Sequence, residues 1–329
     1  MATYKGIQGY TVQKLSSDPT ASEAVGQLWY NSTSGAFKVG TSGAGAWASA
    51  TAMNTHHADT GGAGTVTAAL MASGSSSPSA VTLNAETYDG STWTEGNNVL
   101  TARKATGATG TSTASIMAGG QLPPGAYQSV SETWNGTSWT EGNNIITAGR
   151  SLNGIVGTTT AAIAFGRYAG SVSDITETYD GTCWSETADL NTARRSVGSA
   201  GISTAALCIV GYTTTGVNQV ESYNGTSWSE TSTDTNTAKC CVGGKGTSTD
   251  AIIFGGESTT QLTETETFNG TTWTEVGDMA VKAYNMGAAG VANTAALACG
   301  GAEGAPQATT DLVEEWADPV YTIKTVTVS

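Results

Sequence analysis

The chain has 329 residues, a formal net charge of −14, and charged side chains at only 12% of its positions. This acidic balance disfavours a nucleic-acid-binding role, because phosphate contacts need clustered Lys and Arg. Gly is abundant (43 residues) and Pro is scarce (6), so the composition predicts a folded chain. No stretch approaches membrane-spanning length, and residues Met1 to Gly6 contain no apolar run, so we expect neither membrane insertion nor a signal peptide.

Residues 1–45 stand outside the pattern that fills the rest of the chain. The segment from Gln27 to Val39 combines an aromatic strand, a polar turn containing Gly35 and an apolar strand, and so predicts a β-hairpin. We expect residues 1–45 to be an attachment arm that carries this hairpin.

A hairpin motif then recurs with a period of 44 to 46 residues, and each copy ends in a Trp: Trp93, Trp139, Trp184, Trp228 and Trp273. Asn-Gly or Asp-Gly pairs inside the motif supply the positive φ angles of tight turns. A Gly- and Ala-rich segment and a short apolar run ending in Gly precede each hairpin, and they predict a close-packed strand and a buried strand. Four short strands in about 45 residues is the repeat of a propeller blade.

The two ends of the repeat complement each other. The last unit reaches the first aromatic of its hairpin at Trp316 and stops, whereas Trp47 lies in phase with the repeat and has no unit of its own. We therefore predict an all-β fold over residues 46–318: a six-bladed β-propeller of four-stranded blades, closed by a strand at Trp47 that completes the blade ending at Trp316. Residues 319–329 alternate strictly and predict a C-terminal strand, paired with the N-terminal hairpin or with another subunit.

The repeat resembles the kelch repeat, in which four apolar residues and Gly-Gly precede an aromatic and then a Trp. The run from Ile252 to Gly256, followed by Phe268 and Trp273, carries the resemblance best, and it extends over roughly residues 46 to 316. Kelch-type propellers resemble the central domain of galactose oxidase, whose copper site needs distant His ligands. This chain has only the adjacent His56 and His57, so we expect no cofactor, no metal site and no enzymatic activity.

A second resemblance lies in the arm. The segment from Val25 to Gly35 is similar to segments of tailed-phage virion proteins, especially fibre and appendage proteins. This resemblance implies a virion protein that is made in the host cytoplasm and joins other virion proteins through residues 1–45 and also residues 319–329.

Most of the positive charge lies in the loops that lead into the first strand of each unit. The candidate ligand-binding residues, which we expect to converge at one mouth of the central channel, are His56, Arg103, Arg150, Arg194, Lys239 and Lys282. Like charges around such a mouth attract a carboxylate, a phosphate or an acidic glycan. The alternative is that these side chains cap strand ends and pair with Glu residues of neighbouring blades.

Two other patterns have structural interpretations. Glu residues on both hairpin strands, two positions from the aromatic or the Trp, predict a solvated rim that discourages edge pairing. The Trp residues predict packing between blades. The five Cys residues follow no disulfide or zinc spacing.

Together these patterns predict a non-enzymatic phage virion protein of the tail-fibre or appendage type, whose propeller binds a host-surface glycan or protein. One alternative is a capsid-decorating or purely structural virion protein. The other, from a different class, is a carbohydrate-active enzyme.

Overall fold

The computed structural model describes residues 12–20, 23–77, 80–152, 154–303 and 308–326. Residues 1–6, on which the signal-peptide prediction rests, and residues 327–329 of the predicted tail lie outside these ranges. Within them the protein is all-β, with strands joined by turns and loops, and none of it forms a helix of the length and apolarity that a membrane crossing requires. The chain divides into two compact units, Ala46–Ala317 and Met1–Gly45 with Asp318–Ser329.

The strands are numbered in chain order. Up to residue 49 they are β1 (Gln13–Leu15), β2 (Leu28–Asn31), β3 (Ala36–Gly43) and β4 (Ala46–Ser49). The next twelve are β5 (Gly61–Thr65), β6 (Ala68–Ala72), β7 (Ser75–Ser77), β8 (Ala80–Val81), β9 (Ala85–Tyr88), β10 (Trp93–Glu95), β11 (Gly107–Thr111), β12 (Ala114–Ala118), β13 (Gln121–Leu122), β14 (Ala126–Tyr127), β15 (Ser131–Trp134) and β16 (Trp139–Glu141). Then follow β17 (Gly154–Thr158), β18 (Ala161–Phe165), β19 (Arg167–Tyr168), β20 (Val172–Ser173), β21 (Glu177–Tyr179), β22 (Trp184–Glu186), β23 (Gly198–Ile202), β24 (Ala205–Tyr212), β25 (Gly216–Tyr223) and β26 (Trp228–Glu230). The last are β27 (Gly243–Thr247), β28 (Asp250–Phe254), β29 (Thr265–Phe268), β30 (Trp273–Glu275), β31 (Gly287–Ala292), β32 (Ala295–Cys299), β33 (Ala302–Glu303), β34 (Ala308–Thr309), β35 (Val313–Ala317) and β36 (Val320–Thr325).

The smaller unit is a four-stranded sheet in the order β1-β2-β3-β36. The predicted hairpin is β2 and β3, and the C-terminal strand β36 pairs with β3, which brings Thr322 opposite Thr41. Trp29 is buried, and its Nε1 donates to Asp18 Oδ1 at 2.9 Å, while Asn31 Nδ2 donates to the same oxygen at 2.6 Å. These two donors hold the pKa of Asp18 below its ordinary value, the bond from Asn31 having the larger effect.

The larger unit contains six antiparallel four-stranded sheets, here called sheets 1 to 6. In each strand order below, strands that are hydrogen-bonded to each other stand side by side. They are β5-β6-β9-β10, β11-β12-β15-β16, β17-β18-β21-β22, β23-β24-β25-β26, β27-β28-β29-β30 and β31-β32-β35-β4. In sheet 6 the fourth strand comes from the N-terminal side, with Trp47 opposite Trp316, as the sequence predicts. Repeated four-stranded sheets of this kind are consistent with a β-propeller.

The aromatic residues of each hairpin form the packing between sheets. The Trp that opens the fourth strand is between 5% and 7% exposed in sheets 1 to 5, and it packs on the aromatic residue opposite it, with ring centroids 4.9 to 5.4 Å apart. This confirms the interpretation of the Trp series as core. The turns differ from the predicted form, because only the Gly has positive φ. In the second copy the Asn135 side chain accepts from the backbone N–H groups of Thr137 and Ser138.

The first strands of the six sheets lie against one another, and small residues make this approach feasible. A Cβ added at Gly107 would lie 1.9 Å from the carbonyl oxygen of Leu152 in the loop entering the neighbouring sheet. Contacts between first strands follow the cyclic order β5, β11, β17, β23, β27, β31 and back to β5.

Backbone hydrogen bonds also link the loops before these first strands. Each loop has one non-Gly residue of positive φ shortly before its strand: Ser151 lies three positions before it, and Asp59, Ala105, Ser196, Cys241 and Asn285 lie two positions before it. The bonds run from Asp59 N to Asn285 O, Asn285 N to Cys241 O, Cys241 N to Ser196 O, Ser196 N to Ser151 O, Leu152 N to Ala105 O and Ala105 N to Asp59 O. The series returns to the residue at which it starts, and we call it the backbone circuit.

Replacing Trp47 with Ala tests the contribution of the fourth strand of sheet 6. The Trp47 ring lies 4.9 Å from that of Phe254 and 5.7 Å from that of Trp316, and its Nε1 donates to Thr265 Oγ1. We expect Trp47→Ala to lower the free energy of unfolding in urea by about 3 kcal/mol. Leu100→Ala, at a side chain that is 56% exposed, is the control and should change it by less than about 0.5 kcal/mol. Equal effects of the two substitutions would show that the strand contributes nothing.

Candidate functional site

A buried glutamate lies on the third strand of every sheet in the larger unit. The six residues are Glu86, Glu132, Glu177, Glu221, Glu266 and Glu314, and none is more than 5% exposed. Each accepts backbone N–H groups from the loop that leads into its own sheet. Glu132, for example, accepts from Leu100 N at 2.7 Å and from Thr101 N at 3.2 Å. We call these residues the loop-anchoring glutamates.

The prediction of a solvated acidic rim is therefore wrong for the third strands. Alternation along a strand places the Glu on the opposite face from its neighbours, and here that face is covered by the incoming loop. The second series of acids, on the fourth strands, is exposed as predicted: Glu95, Glu141, Glu186, Glu230 and Glu275.

Three of the six predicted ligand-binding residues are partners of these glutamates. Arg103 pairs with Glu132, Arg194 Nη2 lies 2.6 Å from Glu221 Oε1, and Lys239 Nζ lies 2.8 Å from Glu266 Oε1. All three cations are fully buried. Burial lowers the pKa of Arg103, and the charge of Glu132 opposes this. These three cations do not line a channel mouth that is open to a ligand. They pair with Glu residues, as the alternative predicts, but each Glu lies on the sheet that the loop enters and not on a neighbouring one.

The remaining predicted residues occupy other places. His56 is exposed and 3.9 Å from Asp311, and it is the next residue, His57, that is buried with Nε2 3.5 Å from Glu86. The Nδ1–H of His57 donates to the carbonyl oxygen of Ser73. The sequence alignment of the repeats was thus one residue out at this unit, and alignment on the positive-φ residue before each first strand corrects it.

Lys282 is exposed, and the position equivalent to Arg103 in sheet 6 holds the buried Ala283. Glu314 accordingly accepts the N–H groups of Ala280 and Val281, and among the described residues no cation pairs with it. The backbone bonds are therefore common to all six sheets, and the cation is not.

Sheet 3 reaches the same arrangement by a different route. The position equivalent to Arg103 is Gly149, and Arg167, which follows the second strand, supplies the guanidinium instead. Arg167 Nη1 lies 2.5 Å from Glu177 Oε1 and donates to the Thr147 carbonyl oxygen, just as Arg103 Nη1 donates to that of Thr101. A Cβ on Gly149 would lie 3.0 Å from Arg167 Cδ, so the Gly provides the space for this side chain.

Arg150 belongs to a different cluster, which is partly exposed. Its guanidinium carbon lies 4.9 Å from the ring centroid of Tyr168, and that of Arg195 lies 5.4 Å from Tyr168 and 4.6 Å from Tyr212. Tyr127 adds an edge-on contact to Tyr168 at 5.8 Å. We call Arg150, Tyr168, Arg195 and Tyr212 the arginine–tyrosine row. The sequence analysis named Arg150 as a candidate but missed the tyrosines, which lie 18 residues after Arg150 and 17 residues after Arg195.

Backbone pairing fixes this row. Arg150 exchanges backbone hydrogen bonds with Tyr168, at 3.1 and 3.0 Å, and Arg195 exchanges them with Tyr212, at 3.1 and 2.8 Å. Lys104 and Gln121 form the equivalent bridge in sheet 2. Asp59 lies near Lys104 and Arg150, and burial raises its pKa while those two charges oppose the shift. Across the described ranges, no carboxylate forms an ion pair with Lys104, Arg150 or Arg195.

A cavity of about 210 Å³ is lined by all six first strands, and Lys245 is its charged lining residue. Lys245 replaces the small or apolar residues of the other strands: Ala63, Thr109, Val156, Ala200 and Ala289. Its Nζ donates to the Gly62 carbonyl oxygen at 3.0 Å. Burial lowers the pKa of Lys245 to about 8.

The five cysteines are unpaired, and the Sγ atoms of the adjacent Cys240 and Cys241 lie 3.2 Å apart. In the part of the chain that the structure describes, no three His, Cys, Asp or Glu side chains come together to hold a metal ion. No protein-family model matches the sequence, and a search of curated proteins finds no match either.

In sheet 3 Arg167 supplies the guanidinium that Arg103 supplies in sheet 2, and this predicts that an Arg at position 149 can restore stability when Arg167 is removed. Arg167→Ala leaves Glu177 without its cation and should lower the free energy of unfolding by about 3–5 kcal/mol. Adding Gly149→Arg should recover part of the loss, because the new side chain starts where Arg103 does and the obstructing Arg167 atoms are gone. Gly149→Arg alone should destabilise.

Urea unfolding of the two single variants and the double variant measures these effects, with Glu186→Gln on an exposed fourth strand as the control. A double variant no more stable than Arg167→Ala would contradict the equivalence of the two positions.

Lys245 predicts a pH dependence of stability. Its pKa is lower in the folded chain than in the unfolded chain, so between about pH 8 and 10.5 the unfolded chain binds more protons and folding gains stability as the pH rises. Lys245→Met removes this titration. We expect the variant to be more stable than the wild type at pH 7, and the difference to shrink across that pH range. A difference independent of pH would show that Lys245 titrates normally.

Proposed function

We propose that sheets 1 to 6 are the blades of a closed six-bladed propeller of the kelch-like type, completed by the strand at Trp47. The backbone circuit supports closure, because its six bonds return to Asp59. The cavity at Lys245 supports it independently, since first strands of all six sheets line it. Closure covers the outer faces of the first and last sheets, which an open array would leave exposed.

Within this architecture we assign the protein the role of a non-enzymatic phage virion component of the fibre or appendage type, which binds a host-surface glycan or protein. The resemblance of residues 25–35 to virion proteins supports the location. The separate compact unit formed by the arm and β36 supports an attachment role, because it leaves the larger unit to bind something else.

The observation that carries the binding role is the set of partly exposed cations at Lys104, Arg150 and Arg195, which pair with no carboxylate in the part of the chain that the structure describes, while the whole chain has a net charge of −14. Arg103 and Arg194, which immediately precede Lys104 and Arg195, lie buried against loop-anchoring glutamates, where they hold the fold. Capsid decoration, or a purely structural role, is the alternative and requires no ligand for these cations. The other alternative is a carbohydrate-active enzyme, which would convert the sugar to a product, whereas the proposed protein binds the sugar unchanged.

Imaging of particles tests the location. We expect the protein to remain bound to purified particles of the phage that encodes it, and an antibody label to place it on them. Asp18→Ala, which removes the acceptor for Trp29 and Asn31 in the smaller unit, should reduce incorporation severalfold. Glu95→Gln, at an exposed side chain of the larger unit, is the matched control.

Normal incorporation of Asp18→Ala, or of a folded chain consisting of residues 46–317, would rule out the arm as the attachment element. Complete absence of the protein from particles would overturn the virion role itself.

A further inference from the structure

The arginine–tyrosine row has the composition of a binding site. Its four residues, with Lys104 and Tyr127 beside them, are all partly exposed, so the row is reachable from solvent. Three of the six residues are cations and three are aromatic. A site of this kind offers charge to one part of a ligand and a flat apolar face to another.

The arginines keep their hydrogen-bonding capacity. A guanidinium that stacks on an aromatic ring uses its face, and its N–H groups remain in the plane, where they match a carboxylate. Nε of Arg150 and Nε of Arg195 are buried and have no hydrogen-bond partner among the described residues, so the Nη groups are the donors that a ligand can reach. Stacking on Tyr168 and Tyr212 thus orients both side chains without occupying their donors.

The row is also preorganised. The two Arg–Tyr backbone bridges occupy equivalent places in sheets 3 and 4, and the residues that follow the arginines, Ser151 and Ser196, both take part in the backbone circuit. A ligand therefore meets side chains on a fixed frame, which lowers the entropic cost of binding. The other bridges pair Ala58 with Ser75, Lys104 with Gln121, Cys240 with Glu257 and Tyr284 with Ala302, so the Arg–Tyr combination is confined to two adjacent sheets.

From this arrangement we propose that the row binds a carboxylated saccharide, with the carboxylate on the guanidinium groups of Arg150 and Arg195 and the sugar ring against the exposed parts of the tyrosine side chains. The proposal rests on the glycan-binding role and names the class of glycan. Tyrosine faces favour a sugar over an acidic peptide, because a peptide carboxylate needs the cations alone. Lys104 adds positive charge at the Tyr127 side of the row.

Binding of simple acidic sugars to the full-length protein tests this. The probes are glucuronate, galacturonate and N-acetylneuraminate, with glucose as the neutral comparison, and binding is followed by calorimetry and by ligand-observed NMR. We expect a dissociation constant of roughly 0.1–1 mM for at least one acid, and binding of glucose at least tenfold weaker.

Substitutions then locate the site. Arg150→Met and Arg195→Met should each weaken binding of the acidic sugar at least tenfold, and Tyr168→Leu should weaken it severalfold. Lys282→Met removes an exposed cation outside the row and should leave binding unchanged. Thermal unfolding of each variant shows whether the fold is retained. Arg150→Lys keeps the charge but loses the planar pair of guanidinium donors, so it separates the effect of geometry from that of charge.

The outcomes separate this inference from the proposed function. Unchanged binding in the folded Arg150→Met/Arg195→Met variant, or no binding of any acidic probe at 10 mM, overturns the saccharide site even if the protein lies on particles. An Asp/Glu peptide that binds at the row when the sugars do not also overturns it, in favour of a protein ligand. Binding of an acidic sugar at the row by a protein absent from particles supports the site and refutes the virion role alone.

Discussion

The larger unit depends on one interaction, the acceptance of loop N–H groups by a buried glutamate. Removing a carboxylate from water costs several kcal/mol, and only multiple charge-assisted hydrogen bonds offset that cost. Each loop-anchoring glutamate has such bonds from the connection entering its own sheet. The interaction therefore fixes where each new sheet begins relative to its third strand. In sheet 6 Glu314 has the N–H groups and, within the described ranges, no cation, which indicates that the backbone bonds are the essential part.

The cations come second, and their positions vary accordingly. Arg103, Arg194 and Lys239 extend from the loop, His57 replaces them in sheet 1, and Arg167 approaches from the second strand in sheet 3. The packing places a basic side chain beside the carboxylate in sheets 1 to 5, where it offsets part of the cost of the buried charge, and among the described residues it relies on the backbone bonds alone in sheet 6. It does not require a given residue at a given point of the repeat. The Gly at 149 is the counterpart of this freedom, since it leaves room for a side chain that comes from elsewhere.

These two points explain how far the sequence could be read. Strand positions, the buried Trp series and the pairing of Trp47 with Trp316 follow from spacing and period, which are local or strictly repeated signals. The burial of the glutamates does not follow from spacing and period. The alternation of side chains along a strand predicts that Glu86 and Tyr88 share a face, but it does not predict what covers that face. The partner of Glu177 is equally hidden, since Arg167 breaks the repeat. The tyrosines of the row lie at the end of a second strand (Tyr212) or just after one (Tyr168), where hairpin spacing gives no signal.

The acidity of the chain constrains what the arginine–tyrosine row can recognise. With a net charge of −14, the protein repels polyanions at a distance. At physiological salt, however, charges separated by more than about 8 Å are largely screened. A ligand in contact with Arg150 and Arg195 therefore experiences the local cations, whereas the remainder of a long, densely charged polymer meets the acidic surface. A saccharide with a single carboxylate and an uncharged body satisfies both conditions, because its charge is confined to the row and its ring needs only the tyrosine faces.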